Sequence, residues 1–270
     1  MNAVEKLILK FDSGKHICVG LDSDINKIPK HLLKFDDPIF QFNKAIINST
    51  WENAAAYKLN LAFYEKDGIK GLRTLEKTLE QIPDDILTIG DAKRGDIGNT
   101  SQMYASSLFD HFNFDASTLH PYMGKDSLQP FLDYKDKLNF ILVLTSNPGS
   151  SDFEKQKLSN GKFLYQEVLH KVNEWNQNNN CGIVFGATNP NELEENFSLF
   201  NNLPVLLPGV GSQGGDLETV VEIFKKNSSK NYLINVSRAL IYADDSTGFA
   251  ETSALKLIDY NSKIDKIEHS

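Results

Sequence analysis

The sequence predicts an α/β protein folded as a single (β/α)₈ TIM barrel, with residues 1–270 forming one domain. Three observations carry this expectation. Eight short apolar runs recur along the whole chain. They are near-continuously apolar rather than alternating, as parallel strands covered on both faces must be. Each is separated from the next by enough chain for a crossover helix, with no composition break to mark a second domain. A length of 270 residues suits one such barrel. Length alone also admits two smaller domains, and periodicity alone a doubly wound open sheet.

In chain order the predicted strands are Ile17 to Leu21, Ala56 to Leu59, Leu87 to Gly90, Ala116 to Leu119, Phe140 to Leu144, Gly182 to Phe185, Val205 to Leu207 and Tyr232 to Val236. Helical spacing lies between them. Ile69, Leu72, Leu75 and Leu79 share one helix face, as do Val168, Leu169, Val172 and Trp175, with charged and amide residues opposite. The stretch Asn176 to Asn180 reads as a polar helix end and turn before Cys181, and a final helix covers Phe249 to Ile267.

Composition narrows the function classes. The chain is 40% apolar and 24% charged, values that set aside disorder and fibrous repeats. With 28 Lys plus Arg against 36 Asp plus Glu, the net charge of −8 argues against bulk attraction to nucleic acid or anionic lipid. Any anionic ligand must therefore meet a local positive site. The N-terminus lacks a signal-peptide layout, and no apolar stretch approaches the roughly 18 residues of a membrane helix. Cys18 and Cys181 lie far apart, each beside an apolar run, and read as buried thiols in a reducing cytoplasm.

In a barrel of this kind chemistry sits where strands end and loops begin. The first strand ends in Asp22, the second carries Lys58 and Asn60, and the third runs into Asp91-Ala92-Lys93-Arg94-Gly95-Asp96. Asp91 and Lys93, two apart at a strand end, leave on the same side, and Asp96 follows in the next turn. Lys58 on the neighbouring strand can complete a Lys58–Asp91–Lys93–Asp96 array whose carboxylates keep the ammonium groups protonated. The plain alternative is an ion-pair network bracing the barrel mouth. The Gly-rich segment Pro208 to Gly215 can present bare backbone N–H groups ahead of a helix starting near Asp216. With Gln213 and with Arg238 after the eighth strand it has the layout of a phosphate grip, or else of an ordinary connection. Thr145-Ser146-Asn147-Pro148-Gly149 is good turn chemistry as well as a candidate substrate contact. His120 has no second ligand at metal-binding spacing, and the histidines form no metal cluster. No Ser-His-Asp elbow, Walker loop or dinucleotide-binding glycine pattern occurs.

The run Asp91-Ala92-Lys93-Arg94-Gly95-Asp96-Ile97-Gly98-Asn99-Thr100 resembles the signature of the orotidine 5'-phosphate decarboxylase family. The similarity extends through Val19 to Asp22, Tyr57 to Asn60, Pro121 to Gly124, Thr145 to Ser150, Pro208 to Gly215 and Asn235 to Ala239, in the manner of the type 2 subfamily. The resemblance implies that the substrate is orotidine 5'-monophosphate, that Lys93 protonates C6 as carbon dioxide leaves, and that Asp91 faces the departing carboxylate. It implies that Lys58 bonds the ribose and Asp91, that Asp22 takes a ribose hydroxyl, and that Asn60 belongs to the substrate-binding set. Thr145 or Ser146 would meet the pyrimidine edge, Pro208 would border the ring, and Gln213 and Arg238 would hold the phosphate. It further implies a homodimer with sites at the interface, Asp96 and Thr100 reaching the partner's substrate. One departure is that Ser237 precedes Arg238 where many relatives have glycine. Relatives that act on acyclic sugar phosphates look metal-dependent and hold Mg²⁺ with a carboxylate on the second strand. Lys58 stands there in this chain and would repel a divalent cation, so no metal and no cofactor are expected. A non-catalytic binding barrel would tolerate loss of Lys93 or Asp96, and both are present. No basic stripe with interleaved aromatics supports a nucleic-acid partner.

Overall fold

In the computed structural model each apolar run is a parallel strand, and the eight close into one barrel in chain order. Residues 1–211 and 214–270 are described by this structure. The strands are β1 (Ile17–Gly20), β2 (Ala56–Asn60), β3 (Leu87–Arg94), β4 (Ala116–Leu119), β5 (Leu138–Leu144), β6 (Cys181–Phe185), β7 (Val205–Pro208) and β8 (Tyr232–Val236). Pairing of Ile17 with Ile234 and Cys18 with Asn235 joins β1 to β8 and removes any open edge.

The helices are α1 (Ala3–Asp12), α2 (Pro38–Thr50), α3 (Ala62–Glu65), α4 (Gly68–Leu79), α5 (Gly98–Ser106), α6 (Lys125–Leu132), α7 (Leu164–Trp175), α8 (Pro190–Glu195), α9 (Leu217–Lys226), α10 (Arg238–Ile241) and α11 (Phe249–His269). Their apolar stripes pack outside the strands in a belt that includes Phe42, Leu75, Phe131, Leu169 and Val220. α11 lies against α2 and α9, closing the ring. Asn176 caps α7, and its Oδ1 accepts from Cys181 N at 2.9 Å, so the Asn-rich stretch is a structural turn.

Inside the barrel the two-residue period of a strand sets a gradient. Ala56, Ile89, Ala116 and Leu233 belong to an apolar interior cluster, which α1 joins through Ala3, Leu7 and Phe11. Two residues further along each strand the same face carries Lys58, Asp91, Thr118 and Asn235. The interior thus passes from an α1-plugged apolar floor to a polar mouth at the C-terminal strand ends. Both cysteines are free and buried, and no helix among the described residues is long and apolar enough to cross a membrane.

Candidate active site

β3 outlasts its apolar run by four residues, because the polar segment Asp91–Arg94 continues the ladder. Its register on β4 shifts between Gly90 and Arg94. Thr118 bridges that irregularity: Lys93 N–H donates to Thr118 Oγ1 at 3.0 Å, and the Thr118 hydroxyl donates to Asp91 Oδ1 at 2.9 Å. Lys93 adopts φ +48°, a left-handed conformation rare for a side chain of this kind, which re-aims its stem at the mouth.

The result is a three-membered charge array. Lys58 Nζ lies 2.7 Å from Asp91 Oδ2 and Lys93 Nζ 2.5 Å from Asp91 Oδ1, so the two oxygens of one buried carboxylate each take an ammonium. Lys58 Nζ also stands 3.8 Å from Asp22 Oδ1. Burial alone would raise the Asp91 carboxyl, but the two lysines outweigh it and hold it well below the usual carboxylate range. Burial would likewise lower Lys58, and Asp91 with Asp22 reverse this and push it above its ordinary value. Lys58 is 6% exposed at its side chain and Lys93 50%, so the first is a fixed charge and the second is open to the cavity and to water.

A cavity of about 320 Å³ opens on this array. Of the residues singled out from sequence, Asp22, Lys58, Asn60, Asp91, Lys93, Thr145, Ser146 and Pro208 line it together. Asp96 and Thr100 do not: Asp96 is half-buried with Oδ1 accepting from Ile97 N at 2.8 Å, and Thr100 is exposed. Within one chain the array therefore has three members rather than four. Arg238 is exposed at the start of α10, outside the cavity wall. Gln213 lies outside the described residues. At the start of α9 Asp216 caps the helix, accepting from Thr219 N at 2.9 Å. The N–H groups of Gly211, Gly214 and Gly215 are also used within the Gly-rich turn.

Several groups at the site went unread in the sequence. Thr118 is one. Glu154 is another: it accepts from Thr145 N at 2.7 Å and from Thr145 Oγ1 at 2.9 Å, fixing the Thr145–Ser146 tip. Asn235, which the sequence placed at the tip of the eighth strand without a role, also reaches the cavity from β8. A second cavity of about 600 Å³ adjoins the first, sharing Lys93 and Thr145 and extending past His120, Tyr122 and Phe153. His120 is exposed and its Nδ1 accepts from Tyr122 N at 3.2 Å, a capping contact. Among the described residues no group of three or more His, Cys, Asp or Glu is clustered as metal ligands.

Comparison with known proteins gives a consistent picture. Residues 15–252 match the model of the orotidine 5'-phosphate decarboxylase / HUMPS family. The orotidine 5'-phosphate decarboxylase of Phocaeicola vulgatus is 47% identical over 255 residues, covering 93% of each chain. That of Parabacteroides distasonis is 49% identical over 241 residues, 88% of this chain and 85% of its own. Among solved structures, Leishmania donovani OMP decarboxylase superposes with a TM-score of 0.85 at 36% identity over the full length of both chains. Leishmania donovani UMP synthase gives 0.88 at 37% identity, this chain spanning 57% of its length.

Proposed function

The chain belongs to the orotidine 5'-phosphate decarboxylase / HUMPS family, and from its site we infer how it carries out the reaction of its relatives. It is an orotidine 5'-phosphate decarboxylase, a carboxy-lyase of pyrimidine biosynthesis that converts orotidine 5'-monophosphate to UMP. The bond from C6 to the carboxylate carbon breaks, its electron pair stays on C6, carbon dioxide departs, and a proton is delivered to C6. The resulting carbanion has no ring position into which it can delocalise. The demand on the enzyme is at the top of the usual range, roughly 10¹⁷-fold or about 23 kcal/mol.

In our reading Lys93 is the proton donor. Its ammonium faces the cavity, loses a proton to C6 and regains one from solvent. Asp91 stands beside the departing carboxylate, and Lys58 holds Asp91 and a ribose hydroxyl. Asp22, Asn60, Pro208 and either Thr145 or Ser146 contact nucleoside, and Gln213 with Arg238 takes the phosphate. What supports this most is a single observation: Lys58 and Lys93 occupy the two oxygens of Asp91 at 2.7 and 2.5 Å beside a cavity. Such an array is oriented before substrate arrives, so little reorganisation is needed when charge develops on C6. Phosphate contacts far from C6 add binding energy that secures the competent arrangement.

The reading extends to one catalytic domain over 1–270, a cytoplasmic location, no metal or cofactor, and a homodimer in which Asp96 and Thr100 complete the neighbouring site. Free buried thiols suit a reducing compartment. The test is to add orotidine 5'-monophosphate to chelator-treated protein and follow loss of its ultraviolet absorbance. Conversion is expected in the wild type and almost none in Lys93→Ala, which should still bind UMP. Unchanged absorbance with the wild type, or near-normal turnover in Lys93→Ala, would overturn the reading.

A further inference from the structure

The tip of β8 carries two polar side chains that the mechanism above leaves unused, Asn235 and Ser237. Ser237 Oγ donates to Asp22 Oδ2 at 2.7 Å, and the Tyr242 hydroxyl donates to the backbone oxygen of Asp22 at 3.1 Å. Asp22 is thus gripped at its carboxylate and at its main chain. The fit depends on Gly20: a Cβ there would stand 1.8 Å from Ser237 Oγ and 3.0 Å from Ser237 Cβ. Gly20 is not among the residues with positive φ, so glycine is required for space rather than for backbone conformation.

With Oδ2 engaged, Asp22 Oδ1 is left buried without a hydrogen bond, and the ammonium of Lys58 stays 3.8 Å away. Asn235, 9% exposed, lines the same cavity, and its Oδ1 is also buried without a partner. Unpaired buried acceptors are rare because each forfeits its bonds to water. Two of them on one wall beside an ammonium call for a ligand that brings O–H donors, as a sugar hydroxyl pair does.

We propose that Ser237 is the positioning residue that turns one oxygen of Asp22 toward the substrate, and that Asn235 is a second acceptor beside it, the two together reading hydroxyls of the sugar. The proposal rests on the reading of Asp22 as a ribose contact. It gives a role to the serine that stands before Arg238, and it makes Gly20 and Ser237 a matched pair.

The experiment measures kcat and KM with orotidine 5'-monophosphate and with its 2'-deoxy and 3'-deoxy analogues. Ser237→Ala is expected to raise KM roughly tenfold, the size of a hydrogen bond to a charged group, with a smaller change in kcat. With at least one deoxy analogue that penalty should shrink to below about twofold, because the hydroxyl that reads Asp22 is gone. Asn235→Leu should show the same pattern. Gly20→Ala should reproduce the Ser237→Ala defect in the wild type yet add less than about twofold in a Ser237→Gly background, where the clashing hydroxyl is absent. Urea unfolding checks that each variant is folded. If Ser237→Ala or Asn235→Leu keeps wild-type KM while Asp22→Ala weakens binding, the proposal for that residue fails and the Asp22 reading stands. If Asp22→Ala also binds normally, both fall.

Discussion

Lys93 combines two demands that ordinarily exclude each other, a long charged side chain and a left-handed backbone at φ +48°. A non-glycine residue there costs on the order of 1–3 kcal/mol and persists only where its surroundings hold it. Here the Thr118 hydroxyl on its N–H and Asp91 on its ammonium do so. Removing the amine while keeping or relieving the backbone separates the two effects. Lys93→Ala retains the strain, whereas Lys93→Gly relieves it at a cost of about 0.4–1 kcal/mol through the looser unfolded chain. Relief is the larger quantity. We therefore expect Lys93→Gly to be more stable than Lys93→Ala by about 1 kcal/mol at equal loss of turnover, read from urea midpoints at unchanged m-value. A more stable alanine variant would show that the turn is not held against its preference. The same array links stability to pH in two directions. Asp91, depressed in the fold, contributes above its unfolded pKa, and this is lost as pH falls through the depressed value. Lys58, raised in the fold, contributes below its unfolded pKa, and this is lost as pH climbs through the raised one.

Strands are where sequence and structure agree best, and β3 is where they part. A parallel strand covered on both faces leaves an unbroken apolar run, so β4 and β8 have the bounds that hydropathy implies. β3 runs on to Arg94 because ladder bonds ignore side-chain polarity, as His120 N donating to Arg94 O at 2.9 Å illustrates. Asp91, Lys58 and Lys93 were legible because charge at the end of an apolar run is itself a signal. Thr118 was not: it lies inside Ala116–Leu119, where threonine is ordinary strand material. Glu154 was hidden because nothing in the spacing ties it to Thr145 nine residues earlier. The β3–β4 junction can be tested through Thr118. Thr118→Val keeps the shape and removes both hydrogen bonds, one of them to a carboxylate, for a loss of about 2–3 kcal/mol in stability. Turnover should fall at least about tenfold as Asp91 and Lys93 lose alignment, with KM much less affected. Thr118→Ser should restore most of both. Equal kcat in Thr118→Val and wild type would show that the junction does not aim the array.

At the scale of the whole molecule, large apolar side chains gather beside the barrel mouth. Ile97 and Met103 after β3, Tyr122 after β4 and Phe153 after β5 are 61%, 63%, 74% and 64% exposed, a concentration of large apolar side chains around the site. Surface of that character beside a binding cavity is typical of a face that another protein covers. Asp96, in the same segment as Ile97, lies outside the cavity wall of its own chain. In the homodimer we propose, a two-fold axis places the same patch on both subunits, so Asp96 of each chain completes the array of the other. The consequence is separable by genetics. Lys93→Ala and Asp96→Ala homodimers should each be nearly inactive. A heterodimer of the two, co-expressed with different tags and selected for both, carries one site with both substitutions and one with neither. It should therefore recover about half of wild-type turnover, since one of two sites is intact. If Asp96 served the site of its own chain, each site in the heterodimer would bear one substitution and no activity would return. A tag-selected heterodimer as inactive as its parents would refute the shared site while leaving Lys93 as proton donor untouched.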